Sequence, residues 1–242
     1  DQQTRYKATG QIKAPTGLGI VNEFEYLVKN TQKSTKVTCA GPLTFGSRIH
    51  PGGVYDDTLA IAKEFAEVIN QELKALVAAG ANFIQIDEPA RGNVSGQEMA
   101  KLFNLATEGV DAKLAFHICF GNRFGRSRFN RSYGDYFPGV LDAQTNQFVL
   151  EFASREFSEI EMWPEWNDGR ELGAGLIDVK SFYPETPEDV SNRVRTVLQH
   201  ADADKVYINP DCGFGWSPRY ITKMKLEAMV EGVKIVRDEL SK

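Results

Sequence analysis

The sequence has few cysteines and no long hydrophobic run. Its three cysteines, Cys39, Cys119 and Cys212, are an odd number at wide spacing, which is not how a disulfide framework is built. Reduced thiols fit better, and they indicate a reducing compartment. No apolar stretch approaches the roughly 20 residues that a transmembrane helix needs, and no signal-peptide pattern opens the chain. These absences predict a cytoplasmic protein that has no membrane-spanning segment.

An excess of positive charge is also missing. The formal net charge is -5 and the isoelectric point is near 5.4, which argues against a nucleic-acid-binding protein because such proteins need a basic surface. The composition is otherwise that of a globular protein, with 42% hydrophobic and 25% charged residues. We therefore expect a single domain over residues 1–242, of which residues 1–35 form a weakly patterned entry segment.

Strand-like and helical patterns alternate along the chain. The strand patterns lie at residues 36–42, 82–89, 113–122, 147–152, 171–179 and 205–212. The helical patterns lie at residues 56–79, 95–108 and 218–240 and after Thr186, and Asp56 is the expected N-cap of the first. Such alternation is typical of parallel βαβ units. The prediction is an α/β fold, a (β/α)8 TIM-type barrel whose first unit or units lie upstream of Asp1.

Chemically useful side chains follow the ends of these strands. They are Asp87 and Glu88, His117 and Cys119, Glu151, Asp178 and Lys180, and Asp211 and Cys212. In (β/α) barrels the active site lies at the carboxyl ends of the strands. We therefore expect these residues to meet at one end of the barrel.

A zinc site is one interpretation of this set. His117 and Cys119 are two apart on a strand and so point to one face, while Glu151 and Cys212 come from other strand ends. Nitrogen, sulfur and oxygen ligands of this kind suit zinc, which can activate a thiol substrate. The alternative is simpler, since a buried cysteine is usually an apolar filler and a His-x-Cys pair occurs by chance. Cys39 has no such neighbours, and we interpret it as a core residue.

Two adjacent acids, Asp87 and Glu88, close the strand at residues 82–89. Burying them is costly without a cationic partner, so a substrate ammonium group is the partner we expect. The alternative is that they cap the following loop. Lys180 also has two interpretations, as a solvated loop residue or as part of the site.

The segment 121–137 is rich in arginine and aromatic residues. It contains Arg123, Arg126, Arg128 and Arg131, with Phe124, Phe129 and Tyr133 between them. It is either a solvated excursion or a lid that recognises an anionic group, since it leaves directly from the His117 and Cys119 strand.

Five motifs together resemble the C-terminal catalytic barrel of the cobalamin-independent methionine synthase family. In order, they are Q-I-D-E-P-A at 85–90, H-I-C-F-G-N at 117–122, V-L-E-F-A-S at 149–154, D-V-K-S-F-Y-P-E-T-P-E-D at 178–189 and N-P-D-C-G-F-G at 209–215. The resemblance implies a zinc-dependent methyltransferase of methionine biosynthesis, which moves a methyl group to the thiol of homocysteine. The family's zinc ligands fall on His117, Cys119, Glu151 and Cys212. Its aspartate for the homocysteine amino group falls on Asp87, and by analogy Glu88 lines the same pocket.

The chain departs from the large synthases at Lys180, where they have a histidine regarded as a proton donor. Lys180 is therefore a second catalytic candidate beside Asp87. The resemblance leaves methyltetrahydrofolate, methylcobalamin and a methyl-corrinoid protein as possible methyl donors. Two other functions remain open at this point: an epoxyalkane:coenzyme M transferase, in which zinc activates a sulfonated thiol, and a non-catalytic barrel that acts as a binding module.

Overall fold

A computed structural model describes residues 6–89, 94–121 and 131–242 of the chain. The described residues fall into two compact units. The first contains residues 6–88, 94–117 and 136–146, and the second contains residues 89, 118–121, 131–135 and 147–242. The single domain expected from the sequence stays a prediction.

The first unit alternates strands and helices from its start. In chain order it contains β1 (Tyr6–Lys7), α1 (Ile20–Lys29), β2 (Val37–Ala40), α2 (Pro42–Gly46), β3 (Ile49–His50), α3 (Thr58–Ala78), β4 (Phe83–Pro89), α4 (Gly96–Thr107) and most of β5 (Lys113–Cys119). Strand β1 pairs with β3, and β2 pairs with β4, both in parallel. The pairing places Ala40 beside Asp87, so the end of β2 lies against the acidic end of β4.

Helix α3 is the longest helix of the first unit, and its cap differs from the prediction. Its N-cap is Asp57 and not Asp56, because Asp57 has extended backbone angles and its Oδ1 accepts a hydrogen bond of 2.8 Å from the N–H of Ala60. Apolar side chains at helical spacing are buried along one face: Ile61, Phe65, Ile69, Leu73 and Leu76. The helix ends at Ala78, and Gly80 follows with a φ of 98°, a conformation that favours glycine.

The second unit continues the same alternation. It contains β6 (Gln147–Glu151), α5 (Trp163–Trp166), β7 (Glu171–Ile177), α6 (Pro187–Val197), β8 (Val206–Pro210) and α7 (Arg219–Leu240). Strand β7 pairs in parallel with β6 and with β8. Helix α6 begins with a capping box in which Thr186 and Asp189 exchange hydrogen bonds, and Pro187 occupies its first turn. Every residue of β6 is buried, as expected for a parallel strand covered on both faces.

The six longer strands follow the order β2-β4-β5-β6-β7-β8 in one sheet. These are the six strands that the sequence predicts, each within three residues of the expected bounds. Within the first unit the carboxyl ends of β2 and β4 lie side by side, and within the second unit those of β6, β7 and β8 do, because these pairs are parallel. Among the residues that the structure describes, no helix combines the length and apolar character needed to cross a membrane.

Candidate metal centre

Two cysteine thiols meet in the second unit. Cys119 ends β5 and Cys212 lies two residues beyond β8, and their Sγ atoms are 3.7 Å apart. Cys119 is buried and Cys212 is half-buried, and neither is in a disulfide. The hydrogen bond with Cys212 and burial raise the pKa of the Cys119 thiol well above its usual value. Two thiols held this close are suited to sharing a metal ion as thiolates.

His117 supplies a nitrogen beside them. It lies on β5, two residues before Cys119, so the pleat turns both side chains to one face. The ligand atoms of His117, Cys119 and Cys212 all lie within 4.8 Å of one another. One nitrogen and two sulfurs are ligands that zinc takes, and three protein ligands are what catalytic zinc sites use when one position is kept for substrate. The residues present therefore fit a zinc ion.

Glu151, the fourth predicted ligand, ends β6 and is fully buried. It is not part of the group formed by the histidine and the two cysteines. Its Oε2 accepts hydrogen bonds from the backbone N–H of Phe120 at 3.2 Å and from Lys180 Nζ at 3.0 Å. Its Oε1 accepts a bond of 3.4 Å from Ser154 Oγ. Both carboxylate oxygens of Glu151 thus accept hydrogen bonds from protein groups.

Lys180 is a buried residue and not a solvated one. Only 6% of its side chain is exposed, and its Nζ also lies 3.4 Å from Ser154 Oγ. Burial alone would lower the pKa of Lys180, but the charges of Glu151 and Asp211 outweigh burial and raise it. The side chain is therefore an ammonium ion.

The segment that carries Lys180 is anchored on both sides. The backbone N–H of Lys180 donates to Asp178 Oδ1 at 2.7 Å. Lys225 of α7, which is fully buried, donates from its Nζ to the carbonyl oxygens of Asp178 and Tyr183 at 3.0 and 2.6 Å and to Glu185 Oε2 at 2.7 Å. The backbone around Lys180 is therefore fixed to helix α7.

Asp211 organises the strand ends in a way that the sequence did not reveal. Its buried carboxylate accepts hydrogen bonds of 2.7 to 3.0 Å from three successive N–H groups, those of residues 152–154 after β6. Burial raises its pKa to about 7, with the charge of Glu151 adding to the effect. Gly175 of β7 makes room for it, since a Cβ there would lie 2.6 Å from Asp211 Oδ1. The residue before Cys212 is thus tied to the residues after Glu151.

Tyr133 also has a role that the sequence does not predict. It belongs to the segment 121–137, for which the sequence predicts a solvated excursion or a lid, yet it is fully buried. Its hydroxyl accepts a hydrogen bond of 2.7 Å from the N–H of Glu151 and donates one of 2.9 Å to the carbonyl of Ile118. One hydroxyl therefore links the residues next to Cys119 with the end of β6. The alternation of arginine and aromatic residues in the sequence around Tyr133 does not indicate that its hydroxyl links two strands.

The two acids of β4 lie in the first unit and have different surroundings. Asp87 Oδ1 accepts a hydrogen bond of 2.7 Å from Gln85 Nε2, while Gln85 Oε1 is buried without a hydrogen-bond partner among the described residues. Glu88 is buried and accepts hydrogen bonds from the N–H groups of Leu43 and Thr44 at 2.6 and 2.8 Å. These bonds hold α2 against β4. The prediction that Glu88 lines the substrate pocket stays a prediction.

Most of the arginine-rich segment lies outside the described residues, which exclude 122–130 and with them Arg123, Arg126 and Arg128. Arg131 is described, and its Nη1 donates a hydrogen bond of 2.8 Å to the carbonyl of Ser154. Its own carbonyl accepts a bond of 2.8 Å from Arg155, which is buried over the ring of Tyr133. The anion-recognising lid stays a prediction.

Comparison with known proteins identifies a family for this chain. Residues 8–234 match the family model described as the catalytic domain of cobalamin-independent synthases. A methionine synthase from Saccharolobus islandicus is 38% identical over 212 residues, which are 86% of this chain and 60% of the relative. One from Thermococcus kodakarensis is 34% identical over 226 residues, which are 92% of this chain and 64% of the relative. The chain thus spans less than two thirds of the length of these two curated relatives.

Two solved structures resemble the fold. A B12-independent methionine synthase from Shewanella sp. W3-18-1, solved in complex with selenomethionine, matches with a TM-score of 0.86 and 30% identity over 97% of this chain and 71% of its own. A putative vitamin-B12-independent methionine synthase from Listeria monocytogenes matches with a TM-score of 0.64 and 19% identity over 95% of this chain and 73% of its own, which shows the fold alone. The α/β fold predicted from the sequence, a parallel sheet with helices of the TIM-barrel type, is confirmed. The chain belongs to the cobalamin-independent methionine synthase family, of which it carries the catalytic domain.

Proposed function

We propose that the chain transfers a methyl group to the thiol of homocysteine and forms methionine, with zinc as its cofactor. The observation that carries the proposal is the 3.7 Å separation between the Sγ atoms of Cys119 and Cys212, with His117 beside them. Family membership supports the reaction class. A zinc ion bound there would act as a Lewis acid that lowers the pKa of the substrate thiol and keeps it as a thiolate.

The protein side chains would provide the ligands and position the substrate. His117, Cys119 and Cys212 would hold the metal, and Glu151 would be a fourth, displaceable ligand. Cys212 is half-buried whereas Cys119 is buried, so the cluster is open on the side of Cys212. A substrate thiol can approach from that side. Lys180, the second catalytic candidate, lies beside this fourth ligand, with its ammonium group buried against Glu151.

Asp87 is the proposed binding residue for the substrate ammonium group. Gln85 Nε2 orients its carboxylate. The Oε1 of the same amide, which has no hydrogen-bond partner among the described residues, offers a second acceptor nearby. A buried acceptor without a partner is costly, and an ammonium donor would satisfy it. The relative from Shewanella was solved with selenomethionine, which carries the same amino-acid group as the proposed product. By analogy with the family, Glu88 is also proposed to line this pocket.

The proposed methyl donor is methyltetrahydrofolate. The matching family is described as cobalamin-independent, and the relative from Shewanella is described as B12-independent. Neither description supports a corrinoid methyl donor. In the transfer, a sulfur–carbon bond forms as the bond between the methyl carbon and a nitrogen of the donor breaks. The bonding electrons stay on that nitrogen, which then takes up a proton. Holding thiol and donor in line supplies much of the rate.

The test combines zinc content with methyl transfer. Replacing Cys212 with serine is expected to lower bound zinc well below one equivalent per chain and to abolish methyl transfer from methyltetrahydrofolate to homocysteine. The matched control is Cys39→Ala, because Cys39 is a buried cysteine in β2 of the first unit and does not belong to the group of His117, Cys119 and Cys212. It should keep zinc and activity. If Cys212→Ser retains both, the proposed site is wrong.

Calorimetry on the zinc-loaded protein separates the proposal from its rivals. Homocysteine should bind, and Asp87→Asn should weaken its binding while leaving a thiol without an amino group unaffected. Preferential binding of coenzyme M would instead favour a transferase acting on a sulfonated thiol. Absence of both zinc and thiol binding would favour a non-catalytic barrel.

A further inference from the structure

Lys180 and Glu151 form a buried ion pair. Lys180 Nζ lies 3.0 Å from Glu151 Oε2, and the two side chains are 6% and 0% exposed. A carboxylate removed from water this completely needs a positive partner. In this structure that partner is the ammonium group, together with the N–H of Phe120 and the hydroxyl of Ser154.

These contacts engage both oxygens of Glu151, which lies outside the ligand group of His117, Cys119 and Cys212. A metal ion bound at that group would be a second positive partner for this carboxylate, as an alternative to Lys180. The carboxylate is the part that would move, because the backbone of Lys180 is fixed through Asp178 and Lys225. The choice of partner decides whether a fourth coordination position is filled or open.

Charge balance favours Lys180 as the partner when substrate binds. A divalent cation bound by two thiolates and a neutral imidazole has no net charge. One further anionic ligand makes the net charge of the centre negative, and a second anionic ligand increases that negative charge. A substrate thiolate and the Glu151 carboxylate would therefore repel each other at the same centre. The ammonium of Lys180 removes this conflict by neutralising the carboxylate away from the ligand group.

We infer that Lys180 is a positioning residue that draws Glu151 out of the metal ligand set and so keeps a coordination position for the substrate thiol. The inference rests on the proposed zinc site and adds a role for a side chain that touches no metal. It predicts that Lys180 acts on thiol binding only through Glu151.

A double-mutant cycle tests this, with binding as the readout. In the Lys180→Met variant, Glu151 turns to the metal. Zinc is then expected to bind more tightly, and homocysteine more weakly, each by roughly tenfold, the size of a typical coupling between two sites. In the Glu151→Gln background the same Lys180→Met change should alter neither affinity. Zinc affinity is measured by competition with a chelator and homocysteine affinity by calorimetry.

Lys180→Arg keeps the positive charge and should retain homocysteine affinity within a few-fold. Lys205→Met removes an exposed lysine and is the matched control, which should leave both affinities unchanged. Should Lys180→Met fold poorly, the comparison of Glu151→Gln with Glu151→Gln/Lys180→Met still decides, because residue 151 is uncharged in both variants. A roughly tenfold loss of homocysteine affinity on adding Lys180→Met to Glu151→Gln would then overturn the inference. A loss of thiol affinity in that background equal to the loss in the wild-type background would overturn the inference.

The cycle also distinguishes this inference from the proposed function. Wild-type protein that binds neither zinc nor homocysteine would refute the proposed function. Wild-type protein that binds both, with Lys180→Met unchanged in both affinities, would refute the role of Lys180 alone. Adding homocysteine to the cobalt-substituted protein gives a spectroscopic check: a new thiolate absorption band is expected in wild type and should be weaker in Lys180→Met.

Discussion

Lys225 Nζ lies 2.7 Å from Oε2 of Glu185, and only 1% and 3% of the two side chains are exposed. The ammonium group donates all three of its hydrogens, since it also bonds to the carbonyls of Asp178 and Tyr183. This buried pair joins helix α7 to the turn that carries Lys180. The pair therefore stabilises the fold, and its removal should also disturb the backbone around Lys180 in the candidate site.

Replacing Lys225 with methionine should destabilise the protein by about 3–5 kcal/mol, because it leaves the Glu185 carboxylate buried without its main partner. Urea unfolding measures this change. The control is Lys223→Met on the same helix, where the pair with Glu227 has side chains that are 72% and 59% exposed. Exposed pairs contribute roughly 0–1 kcal/mol, so the control should unfold nearly as wild type does. Equal effects of the two variants would contradict the assigned role.

Glu185 makes stability depend on pH. Burial alone would raise its pKa, but hydrogen bonds from Lys225 and from the N–H of Asp178 lower it below its usual value of 4.5. A carboxylate with a lowered pKa contributes stability that is fully present above the usual value and is lost as the pH falls through the folded-state value. The difference in unfolding free energy between wild type and Glu185→Gln should therefore be constant above pH 4.5 and shrink below it. Urea titrations over an acid pH series measure this, and a difference that stays constant into strong acid would be inconsistent with it.

Tyr133→Phe should destabilise the protein although it removes a single oxygen. The N–H of Glu151 and the carbonyl of Ile118 each lose their bond to this hydroxyl in a buried site. Such losses cost about 1–3 kcal/mol per buried group. Zinc affinity should fall as well, because the hydroxyl joins the ends of the strands that carry Cys119 and Glu151. Tyr6→Phe, at a position that is 61% exposed, is the control and should change neither quantity.

Gly175→Ala tests whether Asp211 needs the space beside β7. An added Cβ would lie 2.6 Å from Asp211 Oδ1 and 2.8 Å from the carbonyl oxygen of Leu150, so backbone must shift. Overpacking of this kind costs about 1–3 kcal/mol, and the displaced Asp211 should also weaken zinc binding at Cys212. Gly215→Ala meets no atom within 4 Å and serves as the control in the same unfolding and zinc-competition assays. A Gly175→Ala variant as stable as this control would rule out the proposed packing role.

The sequence predicted the fold because hydrophobic period and turn signals are local properties. All six strands of the main sheet and the helix at α3 follow from them. The N-cap of α3 is Asp57, one residue from the predicted Asp56. The sequence pattern does not distinguish two adjacent aspartates, because both have a side chain that can cap a helix.

The close approach of Cys119 and Cys212 was predicted from the rule that active sites lie at the carboxyl ends of barrel strands. The hydrogen-bond partners of Glu88, Glu151 and Asp211 were not predicted from the sequence. Each carboxylate is satisfied by N–H groups or a lysine distant in sequence, and no local pattern encodes such contacts. Tyr133 was missed for the same reason, since a tyrosine in a polar segment has the same local signature whether it is exposed or buried.

The bonds from residues 152–154 to Asp211 have a consequence for biosynthesis. The backbone after β6 cannot take its final hydrogen-bonded form until the ribosome has made β8, near the end of the chain. Cys212 arrives with the same segment. A nascent chain that has released β5 and β6 therefore exposes Cys119 without its partner, so at the proposed zinc site metal binding through both cysteines would follow translation of β8. Chains truncated before residue 211 should be metal-free as well as misfolded at the end of β6.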